Sequence, residues 1–251
     1  MRIGAAAGAA WKRHVKPLKP LLAPAAIVLA VAILLGWGWI YLARPEHKYR
    51  LTIEVQTPGG VRSASGVMAV HMGKDAGLLP GAGGSIGVKG DALFVDLGDG
   101  RHLIATLAHG KNAANFDGIS RLAMNAFAAA GQKVQLKEVS QLSGKVQVYG
   151  DLIPTLVTFT NLADPKTAQV LDPGDIEAAF GNGFHLSRVI LEMVPVGPWP
   201  FDFGRPLGEP VTRGIETKLP WVTSVKGYLS GRFACNPSGE PCLDVGHFQR
   251  R

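Results

Sequence analysis

Residues 21–43 read LLAPAAIVLAVAILLGWGWIYLA, 23 consecutive positions without a charge. As an α-helix rising about 1.5 Å per residue the run is roughly 34 Å long, a match to a bilayer hydrocarbon core of about 30 Å. Helices buried in soluble cores seldom stay charge-free for that length, so the run predicts one transmembrane helix. Trp37, Trp39 and Tyr41 gather at its C-terminal end, where amphipathic rings favour the headgroup level. Pro24 falls in the first turn, where a missing N–H costs little. A cleaved secretory signal has a shorter apolar run and small residues before the cut. Tyr41-Leu42-Ala43 places an aromatic there, which predicts an uncleaved anchor.

The chain has 251 residues, with 26 Lys and Arg against 19 Asp and Glu. Taken whole, a net charge of +7 suggests nucleic acid or an anionic membrane surface as partner. The distribution removes the first of these. Residues 1–44 hold six Lys/Arg and no acid, whereas residues 45–251 hold 20 Lys/Arg against 19 acids. The excess is therefore an orientation signal, and no basic nucleic-acid-binding domain is expected. Arg2, Lys12, Arg13, Lys16 and Lys19 precede the apolar run, and Arg44, Lys48 and Arg50 follow it. That bias puts the N-terminus in the cytoplasm and the larger part outside. In a bacterium this is a single-pass inner-membrane protein with a periplasmic domain.

The expected organisation is a basic tail over 1–20, the span over 21–43, a linker over 44–47, a folded domain over 48–230 and a C-terminal tail over 231–251. Four extended linker residues reach about 14 Å, so the domain is held near the bilayer. Its class is expected to be β-rich α+β, built from antiparallel hairpins with two helices. Tyr49, Leu51, Ile53 and Val55 alternate with Arg50, Thr52, Glu54 and Gln56, a period-two strand. Pro58-Gly59-Gly60 turns the chain into a return strand over 61–72. The glycine-rich stretch 73–90 is expected to be a long loop. Asp99-Gly100 between the apolar runs 92–97 and 101–108 predicts a tight hairpin. A helix is expected over 115–130, ended by Gly131, and a short one opening at Asp172-Pro173 and ended by Gly181. Strands are expected around Val134 and Leu136, around Val146 and Val148, over 152–160 and over 185–194. Five prolines between 195 and 210 disfavour regular structure there. Within that stretch Trp199, Phe201 and Phe203 alternate, either as an aromatic docking loop or as rings covering the edge of the core.

Few residues are arranged for chemistry. Gly83-Gly84-Ser85-Ile86-Gly87 matches the G-x-S-x-G nucleophile elbow, which makes Ser85 a weak catalytic candidate. The elbow needs a strand before the serine and a helix after it, and neither is expected here. The same glycines lack the helix that dinucleotide or phosphate binding requires, so no cofactor is expected. The seven histidines (14, 47, 71, 102, 109, 185 and 247) are scattered without metal-ligand spacing, and no metal is expected. His102 and His109 are expected on one strand, and His47 as a solvated linker residue open to protonation. Cys235 and Cys242 enclose a readily turning segment and would pair in an oxidising compartment, closing a ring worth about 2.5 kcal/mol; free thiols are the alternative.

The run Leu156-Val157-Thr158-Phe159-Thr160-Asn161-Leu162-Ala163-Asp164-Pro165, with Val170-Leu171-Asp172-Pro173 and Phe180-Gly181, is one recognisable block. Val211-Thr212-Arg213-Gly214-Ile215-Glu216 leading to Leu219-Pro220-Trp221 is a second. Together with the first two strands these resemble a family of uncharacterised bacterial proteins with one N-terminal span and an extracytoplasmic domain. The resemblance covers roughly 48–225. It implies an envelope location and brings no catalytic or binding residues with it. The expected function is a non-enzymatic, membrane-anchored interaction or accessory module, with the bilayer and an envelope protein as partners. The alternatives are an envelope hydrolase using Ser85 and a small-ligand sensor using the glycine-rich loop.

Overall fold

A computed structural model describes residues 19–72, 86–110, 113–197, 208–224 and 243–251. Two compact units separate, Met1–Leu42 and Ala43–Arg251. In the first, Lys19–Ala43 is helix α1. Its side chains at 19–23, 25 and 39–43 lie outside the described set. Among the residues whose side chains are described, which on α1 are Pro24 and positions 26–38, no helix is long and apolar enough to cross a membrane.

The second unit is mixed α+β and strand-rich, with two antiparallel sheets and few helices. Strand β1 (His47–Thr57) pairs with β2 (Gly60–Met72) through the two-residue turn Pro58-Gly59. Its inward residues Tyr49, Leu51, Ile53 and Val55 are fully buried, and the alternate positions are half-buried. Strands β3 (Ile86–Asp91), β4 (Leu93–Gly98) and β5 (Arg101–Ala105) follow. The β4–β5 turn has positive φ at both central residues, Asp99 (52°) and Gly100 (74°), which suits a right-twisted two-residue hairpin. Strands β6 (Lys145–Gln147), β7 (Leu156–Phe159), β8 (Ala168–Leu171), β9 (His185–Val194) and β10 (Gln249–Arg250) complete the set. The six-stranded sheet runs β10-β3-β2-β1-β9-β6 and the four-stranded sheet β4-β5-β7-β8. The chain passes from the first to the second at Ala92, between β3 and β4.

The inner faces of both sheets share one core with helix α2 (Leu122–Ala129). A second core forms on the other face of the smaller sheet. There Ile104, Val157 and Phe159 pack with Ile215, Leu219, Trp221, Leu243 and Phe248. Covered on both faces, β7 is buried at all four positions.

Several elements differ from expectation. The 115–130 helix opens as a 3-10 turn, Gly118–Arg121, before α2, because Asn115 bridges to His109 instead of joining the helix. Around Val134 and Leu136 there is no strand but a 3-10 helix, Leu136–Gln141, closed by reciprocal bonding of Gln135 and Glu138. The short helix α3 (Glu177–Phe180) begins later than Asp172. Asp172 instead accepts from Gly174 N at 2.8 Å, and Asp175 accepts from Ala178 N at 3.1 Å. Residues 86–90, expected in a loop, form most of β3. The final nine residues are folded into the domain, with Leu243, His247 and Phe248 buried.

Candidate functional site

Ser85, Trp199, Phe201, Phe203, Cys235 and Cys242 lie outside the described residues. Ile86, the residue after Ser85, starts a strand, whereas a nucleophile elbow needs a helix there. Trp37 is 72% exposed on α1, and the side chains of Trp39 and Tyr41 fall outside the described set. Polar chemistry among the described residues concentrates elsewhere, in two clusters.

The first lies on the face of the six-stranded sheet opposite Tyr49. Period two sends Lys48, Arg50, Thr52 and Glu54 to that face, and the segment 208–212 covers its first half. Thr212 fastens the cover: its N donates to Val67 O at 3.0 Å and its Oγ1 accepts from Val67 N at 2.7 Å. Lys48 is fully buried and donates to the Glu209 carbonyl at 2.9 Å. Arg50 pairs with Glu192 at 2.6 Å and with the Glu209 carboxylate. Burial works against its charge, but the two carboxylates prevail and raise its pKa. Lys48 and Arg50, expected beside the membrane as flanking charges, are thus parts of the domain's own ion network. Arg188 and Glu54 continue it outward at 2.7 Å.

The second cluster surrounds the C-terminal strand. The Arg250 guanidinium donates to three main-chain carbonyls, Leu107 at 2.7 Å, Gly246 at 3.1 Å and Phe116 at 3.3 Å. It also lies 5.0 Å from the centroid of the Phe116 ring. His247 stands between Asp244 Oδ1 (3.0 Å from Nδ1) and the Ala113 carbonyl (3.0 Å from Nε2). For Asp244, burial pushes the pKa up, but the His247 hydrogen bond and charge outweigh it and the net shift is downward. An Asp–His pair is half of a proton relay, yet here Nε2 is engaged by a backbone carbonyl and presents nothing to a nucleophile. His109, 4% exposed, is 3.0 Å from Leu152 O through Nε2, while its buried Nδ1 has no hydrogen-bond partner among the described residues. Burial lowers its pKa, and Arg250 adds to that. Rather than sharing a strand with His102, His109 sits beyond the end of β5. On β5 itself, His102 stacks on Phe94 at 5.3 Å and accepts from Phe159 N at 3.3 Å, its pKa lowered by burial.

His47, expected in solvent, is 2% exposed at the first position of β1, and neither ring nitrogen is hydrogen-bonded among the described residues. Burial lowers its pKa to about 4. The signal was present in the sequence: the inward positions Tyr49, Leu51 and Ile53 extrapolate back to 47. No local pattern announced Asp91 or Arg250. Asp91 is fully buried and accepts from Gly214 N at 2.7 Å and Ile215 N at 3.2 Å. The run 211–216 is therefore a brace: Thr212 bonds Val67, Gly214 bonds Asp91, Ile215 enters the second core, and Glu216 receives Gln249 at 3.0 Å.

These clusters tie segments together through ion pairs and through bonds to main-chain atoms, which is positioning chemistry. A cleft of about 110 Å³ is lined by Ile86, Asp117, Ser120 and Arg121. Among the described residues no group of three His, Cys, Asp or Glu is placed to hold a metal ion. Comparison of the chain with protein-family models, with curated proteins and with solved structures returns no match.

Proposed function

We propose that this chain is a single-span membrane protein whose β-rich domain stands outside the cytoplasm, in the periplasm of a bacterium, and acts there as a non-enzymatic interaction or accessory module. The observation that carries the proposal is the 23-residue charge-free run, which coincides with α1. From Ile27 to Trp37 its large apolar side chains are 48–72% exposed, an arrangement that water disfavours and lipid accepts. The basic residues before the run favour a cytoplasmic N-terminus. Only Arg44, Pro45 and Glu46 separate α1 from β1, so the domain works close to the bilayer and meets partners in or near it. The resemblance to single-span envelope proteins agrees with this placement. Trp199, Phe201 and Phe203 are the proposed contact residues, with Cys235 and Cys242 paired in the oxidising compartment.

Fusion of alkaline phosphatase and of a fluorescent protein to the C-terminus tests the placement. Phosphatase activity with a dark fluorescent fusion is expected, and the reverse pattern overturns the proposed orientation. Photo-cross-linking from position 201 in living cells then tests the module. Adducts to a specific envelope protein are expected. Adducts formed only with lipid, or none, would remove the aromatic run as the contact surface.

A further inference from the structure

We propose that Asn182 is a site of spontaneous covalent modification, in which the main-chain nitrogen of Gly183 attacks the Asn182 side-chain amide and the residue ends as aspartate or isoaspartate. Asparagine carries a thermolabile amide, and glycine as the next residue offers the least steric obstruction to attack. Whether such a pair reacts in a folded protein depends on whether the attacking N–H and the carboxamide are free to meet.

Here both are free. Residues 181–183 are exposed in the turn between α3 and β9. The turn closes through Phe184 N to Gly181 O at 3.4 Å, which leaves Asn182 and Gly183 as its two central residues. Gly181 N is engaged with Glu177 O at 2.8 Å, but neither the Gly183 N–H nor the Asn182 carboxamide has a hydrogen-bond partner among the described residues. The flanking glycines, with φ of +93° (Gly181) and +88° (Gly183), add no side chain of their own beside the reacting atoms. The other asparagines among the described residues are held. The Asn115 carboxamide oxygen accepts from Gly118 N at 2.9 Å and that of Asn161 from Ala163 N at 3.0 Å, and each is followed by a bulky residue. Asn125 lies within α2.

The chemistry balances without an added oxidant or reductant. The deprotonated Gly183 nitrogen bonds to Cγ of Asn182, the Cγ–Nδ2 bond breaks, and ammonia leaves. Water then opens the five-membered imide at either carbonyl. One product is aspartate; the other is isoaspartate, which carries an extra main-chain methylene into the entry of β9. Either product replaces a neutral side chain with a carboxylate and cancels the single net positive charge of residues 45–251. The site is also next to the β1–β2 turn, since a Cβ on Gly183 would come 3.2 Å from Pro58 Cγ.

The test is incubation of the full-length protein in detergent in mildly alkaline buffer, followed by digestion and mass spectrometry with isoaspartate detection. The mass gain of amide-to-acid conversion is expected at Asn182 well ahead of Asn161 and Asn115, faster at higher pH, and the acidic charge variant is expected to vanish in Asn182→Gln. Conversion at Asn182 no faster than at Asn161 overturns the proposal. So does conversion confined to urea-unfolded protein, because the folded turn would then be protective.

Discussion

His47 occupies the first inward position of β1, both ring nitrogens are buried without a hydrogen bond among the described residues, and burial holds its pKa near 4. The unfolded chain takes up that proton near 6.5, so between those values it binds more protons than the native state. Stability therefore falls as pH falls through this window, by about 3 kcal/mol once both states are protonated. His102 and His109 are shifted downward by the same cause and act in the same direction. Urea denaturation of His47→Leu should show a shallower loss of stability between about pH 6.5 and 4; an unchanged slope would place the acid sensitivity elsewhere. Gly118 is a second residue-scale constraint. A Cβ there would lie 2.7 Å from Nδ1 of the buried His109 ring, which has little room to yield, and 3.2 Å from Nδ2 of the exposed Asn115. Gly118→Ala should cost about 1–3 kcal/mol in the same melts, and a neutral effect would show that the His109 ring moves aside freely.

At the scale of elements, the C-terminal strand has a role out of proportion to its two residues. Its neighbour Phe248 fills the second core, and the Ala92 N–H donates to the Phe248 carbonyl at 2.8 Å where the chain changes sheets. Phe248→Ala should cost about 3–5 kcal/mol by denaturant titration. Arg250→Lys is expected to lose most of what Arg250→Ala loses, because one ammonium cannot reproduce a planar fork reaching three carbonyls. Equal stability of Arg250→Lys and the wild type would reduce the contact to simple charge. Local pattern made some of these elements legible and hid others. The alternation of β1 and the Asp99-Gly100 turn each encode their structure within a few residues. Strands β3, β8 and β10 carry no comparable signal. They are short, interrupted by glycine or polar residues, and become strands because a neighbouring edge supplies their hydrogen bonds.

For the whole molecule, the proposed span makes a separate prediction. Ile33→Lys places a charge near the middle of the apolar run and should weaken insertion by about 2.5–3.5 kcal/mol, moving the protein partly out of the alkaline-carbonate-resistant membrane fraction. Full retention would show that residues 21–43 do not anchor the chain by themselves. By itself the sequence determined the long apolar segment, the near-neutral charge of everything after it, the β-rich class and the main hairpins. Each of these depends on composition or on periodicity over neighbouring residues. Only the tertiary structure decided that the strands divide into two sheets exchanged at Ala92, that Lys48, Arg50 and Asp91 are interior, and that the last nine residues close a second core. Those outcomes depend on partners far apart in the chain, such as Arg50 with Glu209, Asp91 with Gly214 and Arg250 with Leu107. A buried charge or an edge strand is stable only once its distant partner arrives, and no window of adjacent residues contains both.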